Sequence, residues 1–403
     1  MKFISTLLVF TLTYVNCIAD EGMWLPHLLK DINEKEMQVK GLKLTAEDLY
    51  SVNKSSLKDA VVSLGGFCSA EFISDQGLLL TNHHCAVGQI QSHSSTENDY
   101  LQNGFWAMKK KDELPNKGLT VSLLVDIVDV TDSIIPLLSN DMTEQERNKK
   151  VRELSKNIIK NKTKETLYSS RINSFYGGNA YYMMTYETFK DVRLVGAPPS
   201  SIGKFGGDTD NWMWPRHTGD FALFRVYCAP DGTPAEYSKE NVPYKPRHHF
   251  PIQLDGVENG DYTMIFGFPG STDRYLTSYG VRNALDITYP ERIKIRAKKL
   301  EIIKNSMSSN EKNKIKYAAK YAQISNYWKY YIGQTKGLNR MNVQEKKLKQ
   351  ENEFNNWVTQ KESRQEKYSE ALPLIDSAYN ICLLYTSDAA DERSSVDLGG
   401  RRI

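Results

Sequence analysis

The sequence predicts a β-rich lobe that extends to about residue 280, followed by the beginning of an all-helical domain. In the first part, short apolar runs alternate with turn residues, which is typical of strands in a sheet. After residue 280, glycine becomes rare and apolar residues recur at helical spacing. We therefore expect a β domain that leads into a helical one.

Composition and charge narrow the class of protein. The 403 residues are 40% apolar and 25% charged, as in ordinary soluble globular proteins. The net charge of +3 is too small to indicate a nucleic acid or an anionic membrane as a partner. Residues 291–350 carry 16 Lys/Arg against 4 Asp/Glu, which we interpret as solvated helix faces; a basic cover over an active site is the alternative.

The N-terminus has the pattern of a secretory signal peptide. A basic start precedes a mostly apolar run over 4–15, and small residues at Cys17 and Ala19 predict cleavage before Asp20. The run is too short to span a bilayer, and no later stretch is apolar enough to do so. Lipidation of Cys17 is the alternative. We expect residues 1–19 to be removed and the protein to be exported.

The C-terminal residues 382–403 resemble the translation of a sequencing adaptor, so we exclude them from fold reasoning and expect the natural protein to continue beyond Ile381. Without Cys17 and the adaptor-like tail, three cysteines remain. An exported protein can keep a disulfide, and Cys68 with Cys85 is the expected pair. Cys228 is then free or paired with a residue beyond this chain.

Helices, turns and strands can be placed along the chain. Residues 20–53 show helical spacing, and the capping-box pattern of 143–146 predicts a helix to about Lys160. Turns are expected at 74–77 and 231–232. Strands are predicted at 60–64, 68–73, 78–81, 119–125, 192–195, 221–227 and 261–266.

The strongest local signal is a strand, a turn and a second strand that ends in Thr81-Asn-His-His-Cys85. This arrangement would hold a histidine at a strand end while the cysteine reaches back to the first strand. We assign His84 as a general base and expect His83 to point away. A metal site of His83, His84, His93 and Cys85 is disfavoured because adjacent strand residues face opposite sides. A structural histidine is the other alternative.

A second signal is a loop rich in Gly, Trp and charge that ends at Asp220, directly before an apolar strand. In serine proteases a buried acid orients the histidine and stabilises the imidazolium ion. We assign this role to Asp220, with Asp208 and Asp210 as alternatives and a turn-forming aspartate as the plain interpretation. The sequence has no Gly-x-Ser-Gly segment. Ser271 in Phe268-Pro-Gly-Ser271 is expected to lie in a turn, so we expect the nucleophile beyond this chain.

Together these segments resemble the bacterial serine peptidase family of dipeptidyl-peptidases 7 and 11, over nearly all of residues 20–381. The resemblance rests on long unbroken runs, among them Leu80-Thr-Asn-His-His-Cys85, Asp208-Thr-Asp-Asn-Trp212, Pro215-Arg-His-Thr-Gly-Asp220 and Gly267-Phe-Pro-Gly-Ser-Thr272. The chain departs from the family at Phe67, Ser69 and Ala70 beside the first cysteine, and at Ala86-Val87. We expect these departures to affect substrate preference.

The resemblance implies a chymotrypsin-like double β-barrel with an inserted all-α domain. Residues 20–280 would contain the first barrel and residues 281–381 the start of the helical domain. It also implies a homodimer in the periplasm or at the cell surface of a Gram-negative bacterium, with no cofactor and no metal.

By matching motifs, the resemblance makes His84 the base and Asp220 its orienting acid. Asn211 and Trp212 would hold the free α-amino end of the substrate, and Asn326 would contact the bound dipeptide. An amide oxygen beside an indole can recognise such a cationic terminus.

The predicted activity is that of a serine exopeptidase that releases dipeptides from free N-termini through an acyl-enzyme. The segment 41–50 resembles the dipeptidyl-peptidase 7 branch, which implies apolar residues before the cut, while the acidic-preferring branch stays open. The 403-residue chain is predicted to be inactive by itself. The alternatives are a chymotrypsin-like endopeptidase and a peptide-binding relative without a nucleophile.

Overall fold

The structure is a computed structural model that describes residues 23–139, 141–164 and 166–381. The predicted signal peptide with Cys17, and the adaptor-like segment 382–403, lie outside the described residues. No described helix is both long enough and apolar enough to cross a bilayer.

The strands of the described residues form one 11-stranded antiparallel sheet. They are β1 Val61–Leu64, β2 Cys68–Phe72, β3 Leu78–Thr81, β4 Phe105–Trp106, β5 Leu114–Pro115, β6 Val121–Asp129, β7 Ser169–Phe175, β8 Ala180–Phe189, β9 Asp191–Ala197, β10 Ala222–Cys228 and β11 Val242–Pro243. Their order is β4-β9-β10-β3-β2-β1-β6-β8-β7, with β5 on β9 and β11 on β10. A large antiparallel sheet is therefore present, while the double barrel stays a prediction.

In the second part of the chain, the helices follow the strands. In the first part of the chain, helices cover the sheet at a few places. They are α1 Leu29–Ile32, α2 Glu34–Val39, α3 Ala46–Leu49, α4 His83–His93, α5 Tyr100–Asn103, α6 Glu144–Thr163, α7 Ser200–Gly203, α8 Gly207–Asp210, α9 Ser278–Asn283, α10 Tyr289–Ser309, α11 Glu311–Arg340, α12 Val343–Thr359 and α13 Glu362–Tyr368. Residues 371–381 are helical as well. A π-helical turn, Ala284–Thr288, joins α9 to α10.

The main core lies where the central strands meet α4. Phe72, Leu79 and Phe224 come from the adjacent strands β2, β3 and β10, and all three are fully buried. Alternate residues of a strand face the same side, so each strand contributes every second side chain to this core. Burying a large apolar side chain contributes about 1.5–3 kcal/mol to stability, which fixes the register of these three strands.

The register of β3 against β10 determines where the site forms. Thr81, the last residue of β3, pairs with Ala222, the first residue of β10. Because the strands are antiparallel, the chain after Thr81 and the chain before Ala222 leave the sheet at the same edge. His84 and Asp220 are thereby brought together although 136 residues separate them.

The N-terminal helical prediction is only partly right. Residues 26–49 form a short 3₁₀ turn and the separate helices α1, α2 and α3. Leu29 is buried, but Ile32 is 53% exposed. The chain breaks after α1 at Asn33 and turns again at Gly41, whose φ of +110° few residues other than glycine adopt. Because the chain changes direction at these two positions, α1 and α2 are each shorter than two helical turns.

The capping-box prediction is confirmed for α6. The Thr143 side chain accepts a hydrogen bond from the Glu146 backbone N–H, and the Glu146 carboxylate accepts one from the Thr143 N–H. The helix extends to Thr163, slightly beyond the predicted end. Its apolar face packs on a satellite cluster around Ile134 and Met183, which lies apart from the main core.

The predicted strand at 261–266 is wrong. The segment forms no ladder with any strand of the described residues, and the Ile265 side chain is fully exposed. An apolar, β-branched segment becomes a strand only where another strand offers its hydrogen bonds. The sequence analysis also missed the long hairpin of β7 and β8, because β7 is mostly polar and half exposed.

Candidate active site

The residue pair His83-His84 starts helix α4 and does not end a strand, as the sequence analysis had assumed. Asn82 precedes the helix in an extended conformation, so the two imidazoles leave the chain in the first helical turn. His83 is 1% exposed and lies under the loop that contains α7. The side chain of His84 is 68% exposed. His84 is thus the histidine that faces solvent, and His83 is part of the packed interior.

His84 and Asp220 form a doubly hydrogen-bonded pair. Nδ1 of His84 lies 2.7 Å from Oδ2 of Asp220, and the backbone N–H of His84 donates to Oδ1 at 2.9 Å. The amide of Asn82 donates to the Asp220 carbonyl oxygen at 3.1 Å, which ties the two chain segments together. Because a carboxylate only accepts, Nδ1 carries the ring proton and Nε2 is left as a base.

The environment keeps Asp220 ionised. Partial burial raises the pKa of the carboxyl group, but the hydrogen bonds from the His84 ring and backbone, together with the charge of both histidines, more than offset it. The pKa of Asp220 therefore lies below its ordinary value. An ionised acid behind Nδ1 is the arrangement that holds an imidazole in one orientation and stabilises its protonated form.

The predicted disulfide is confirmed. Cys68 on β2 is bonded to Cys85 in the first turn of α4, with 6.2 Å between the Cα atoms. The bond attaches the helix that carries His84 to the sheet. Cys228 is buried and is a free cysteine within the described residues.

The alternative metal site does not assemble. Among the described residues, the one group of potential ligands here is Cys68, His84 and Cys85, and both sulfur atoms are already in the disulfide. His93 lies at the far end of α4, where its Nε2 is 3.1 Å from the side-chain oxygen of Asn116. Thiolate ligands are therefore absent from this group.

The alternative orienting acids are engaged elsewhere. Asp208 forms a 2.5 Å ion pair with Lys204, one turn earlier in the chain. Asp210 lies against Gly206, and its Oδ2 is close to the position that a Cβ atom on residue 206 would occupy. Neither carboxylate is hydrogen-bonded to His84 in the described structure. Asp220 is the acid that contacts His84.

A second cluster joins the loop before β10 to helix α11. The side-chain oxygen of Asn326 accepts hydrogen bonds from Nδ2 of Asn211 at 2.8 Å and from Nε1 of Trp212 at 3.0 Å. Trp212 has a φ of +62°, a strained conformation for a tryptophan, and its ring lies 5.3 Å from that of Tyr330. We call Asn211, Trp212 and Asn326 the clamp cluster. The structure brings these three predicted residues together.

Two cationic side chains that the sequence analysis did not assign support the clamp cluster. Arg216 donates to the carbonyl oxygens of Phe205 and Gly207 and to the Asn211 side-chain oxygen at 3.3 Å. Lys329 on α11 contacts the Thr209 carbonyl. Arg216 lies in the Pro215-Arg-His run, which marked the loop as unusual, but no pattern of the sequence points to Lys329.

Gly203 provides a test of how the buried His83 supports this loop. A Cβ atom on Gly203 would lie 2.3 Å from Cδ2 of the His83 ring. We expect Gly203→Ala to lower the free energy of unfolding by about 1–3 kcal/mol, because the packed ring or the loop must move. Thermal unfolding measures this. Gly88→Ala in α4 is the matched control, since a Cβ there meets nothing; an equal loss in both variants would contradict the account.

The chain is similar to known peptidases. The model of the Peptidase S46 family matches residues 19–387. An Asp/Glu-specific dipeptidyl-peptidase of Capnocytophaga gingivalis is 50% identical over 365 residues, which is 91% of this chain and 51% of the relative. Dipeptidyl-peptidase 7 of Porphyromonas gingivalis is 46% identical over 361 residues, 90% of this chain and 51% of the relative.

Among solved structures, Porphyromonas endodontalis DPP11 in complex with the dipeptide Arg-Glu matches with a TM-score of 0.83 and 40% identity, over 90% of this chain and 52% of that one. The chain thus spans about half the length of the curated relatives it matches. The preference for apolar residues before the cut finds no support here, because two relatives at 50% identity are Asp/Glu-specific enzymes. By these matches the chain belongs to the Peptidase S46 family.

Proposed function

We propose that this chain is the N-terminal part of a serine dipeptidyl-peptidase, which releases dipeptides from the free N-terminus of peptides. The main support is the position of the two groups of residues. The same sheet edge that pairs His84 with Asp220 leads, through the loop before β10, to the clamp cluster. Asp220, which orients the His84 base, and the amide-indole pair Asn211-Trp212 lie on one short loop, and this suits an enzyme that measures a fixed distance from a peptide terminus.

In the proposed reaction Nε2 of His84 takes the proton of a serine hydroxyl, and the serine oxygen attacks the carbonyl carbon of the second peptide bond. The imidazolium ion, stabilised by Asp220, then gives its proton to the leaving amine. Water repeats the sequence on the acyl-enzyme and releases the dipeptide. No described serine hydroxyl is hydrogen-bonded to the His84 ring, so the nucleophile is assigned to the part of the protein beyond Ile381. The chain alone is therefore proposed to be inactive.

The clamp cluster is proposed to bind the substrate's amino end. Two residues of extended chain span at most about 7 Å, so the clamp and the base must keep a constant separation. We propose acidic residues before the cut, in place of the apolar preference predicted from the sequence. The support is the identity of 50% to two Asp/Glu-specific relatives. An endopeptidase is disfavoured because it would need no group for a free terminus.

The finer architecture and location are part of the same proposal. Residues 20–280 would contain the first barrel of a double β-barrel, and residues 281–381 would begin an inserted helical domain. Strands end at β11 and continuous helix begins with α9, which supports this division. Export and a location outside the cytoplasm are proposed from the signal-peptide pattern of residues 1–19, and a homodimer of the whole protein is proposed from the family resemblance.

The test uses the full-length protein from the source gene and fluorogenic dipeptidyl amides. The second residue is Asp, Glu, Leu or Phe, and each substrate is made with a free and an acetylated N-terminus. We expect release from the free Asp and Glu substrates at least tenfold faster than from the others, and none from acetylated ones. Equal cleavage of acetylated substrates would overturn the exopeptidase assignment, and faster cleavage after Leu or Phe would overturn the acidic preference.

A further inference from the structure

Helix α4, whose second residue is His84, is joined to helix α11 by one side-chain amide. Oε1 of Gln91 accepts a hydrogen bond from the backbone N–H of Ala319 at 2.7 Å. Nε2 of Gln91 donates to the backbone carbonyl of Lys316 at 3.3 Å. Both partners are backbone groups in the interior of α11, so the contact depends on the position of that helix along its axis and not on one of its side chains.

The spacing along both helices places this contact two turns from the site. Gln91 follows His84 by seven residues on α4, and Asn326 follows Ala319 by seven residues on α11. Seven residues turn a helix through nearly two full rotations and advance it about 10 Å. His84 therefore lies on the Gln91 side of α4, and Asn326 lies on the Ala319 side of α11.

The surroundings of this contact are packed. Ala318 of α11 and Val87 of α4 both pack against the main core. Ile315, one turn before Ala319, is buried. Apolar contacts tolerate a slide of one helix along another better than hydrogen bonds do, because they have no fixed direction. The two hydrogen bonds of Gln91 are directional, so they define an axial position of α11 that the apolar contacts alone would not define.

We propose that Gln91 is a positioning residue that sets the axial position of α11, and hence the distance from Asn326 to His84. The inference rests on the proposed function. A dipeptide held between the clamp cluster and the base needs this distance to be constant, and a misplacement of about 1 Å can cost about 10²-fold in rate. Gln91 acts through Asn326 and touches neither the substrate nor the reacting atoms.

The test compares Gln91→Met with Gln91→Glu in the full-length enzyme. Methionine keeps the length of the side chain but makes neither hydrogen bond. Glutamate keeps the acceptor for Ala319, but it replaces the donor to the Lys316 carbonyl with a charged acceptor. Gln89→Met is the matched control on the same helix, because the Gln89 side chain has no hydrogen bond to the described residues. The readouts are kcat and KM for a dipeptidyl amide, and the rate of inactivation by a small sulfonyl fluoride that has no amino terminus.

We expect Gln91→Met to lower kcat/KM about tenfold, with Gln91→Glu between it and the wild type. Sulfonyl fluoride inactivation should stay within twofold of wild type, since it needs the base but not the clamp. A Gln91→Met enzyme equal to Gln89→Met would overturn the inference. So would an equal loss of inactivation rate, which would make Gln91 a general support of α4. If Gln91→Met does not fold, Gln91→Glu decides by the same two readouts. A wild type without dipeptide release would instead reject the proposed function.

Discussion

Replacement of Asp220 by asparagine is expected to lower kcat of the full-length enzyme by about 10⁴ while KM changes little. In the native pair Nδ1 of His84 donates to Oδ2 of Asp220 over 2.7 Å. An asparagine amide at that position can itself donate to Nδ1. The ring proton then moves to Nε2, and the histidine can no longer accept the proton of the serine.

Two further observations isolate this effect. Asp231→Asn, in the turn after the far end of β10, should leave kcat within twofold of the wild-type value. The depressed pKa of Asp220 also contributes to stability at pH values above the ordinary carboxyl range, and this contribution is lost as the pH falls through the folded-state value. The free energy of unfolding of Asp220→Asn should thus fall less steeply on acidification. A variant with near-normal kcat would contradict the role assigned to Asp220.

Replacement of Asn326 by leucine is expected to lower kcat/KM for dipeptidyl substrates by about 10²–10³, mainly through KM. The change removes the acceptor of two hydrogen bonds, so that Nδ2 of Asn211 and Nε1 of Trp212 lose their partner. The Asn211 amide is partly buried, and a fully buried donor left without a partner would cost about 1–3 kcal/mol. The proposed contact of Asn326 with the bound dipeptide is lost as well. Steady-state kinetics with free substrates give the two constants separately.

The control for this prediction is Asn339→Leu, the same change at an exposed position near the end of α11, which should leave both constants unchanged. The sulfonyl fluoride reagent should inactivate Asn326→Leu at the wild-type rate. If Asn326→Leu instead lost kcat with KM unchanged, the residue would act on the chemical step, and the clamp cluster would not be an amino-terminus site.

Part of the candidate site could be predicted from the sequence. The strands at 78–81 and 221–227 are strongly apolar, and His84 comes three residues after the first while Asp220 comes directly before the second. The antiparallel pairing of these strands then places the two residues at one edge of the sheet. Asn326 could be found only through the family resemblance, since no local pattern of α11 distinguishes it from other polar residues of that helix.

The start of α4 was misjudged for an identifiable reason. Asn is a common helix N-cap, but Asn82 makes no side-chain cap here. The Asn82 side-chain amide instead donates a hydrogen bond to the Asp220 carbonyl oxygen. The residue type that usually marks a helix start therefore holds Asp220 in the candidate site. Segment 261–266 shows the converse error. Its residues favour a strand, yet the described residues offer it no pairing edge, and pairing is a long-range property that composition does not carry.

We propose that this chain belongs to an enzyme that cuts two residues from a free amino end. The most direct measurement is mass spectrometry of the first products released from a decapeptide with Glu at positions 2 and 4 by the full-length protein. We predict the N-terminal dipeptide first, then the dipeptide of residues 3 and 4, with no product when the N-terminus is acetylated. Early release of internal or longer fragments, or cleavage of the acetylated peptide, would contradict the account.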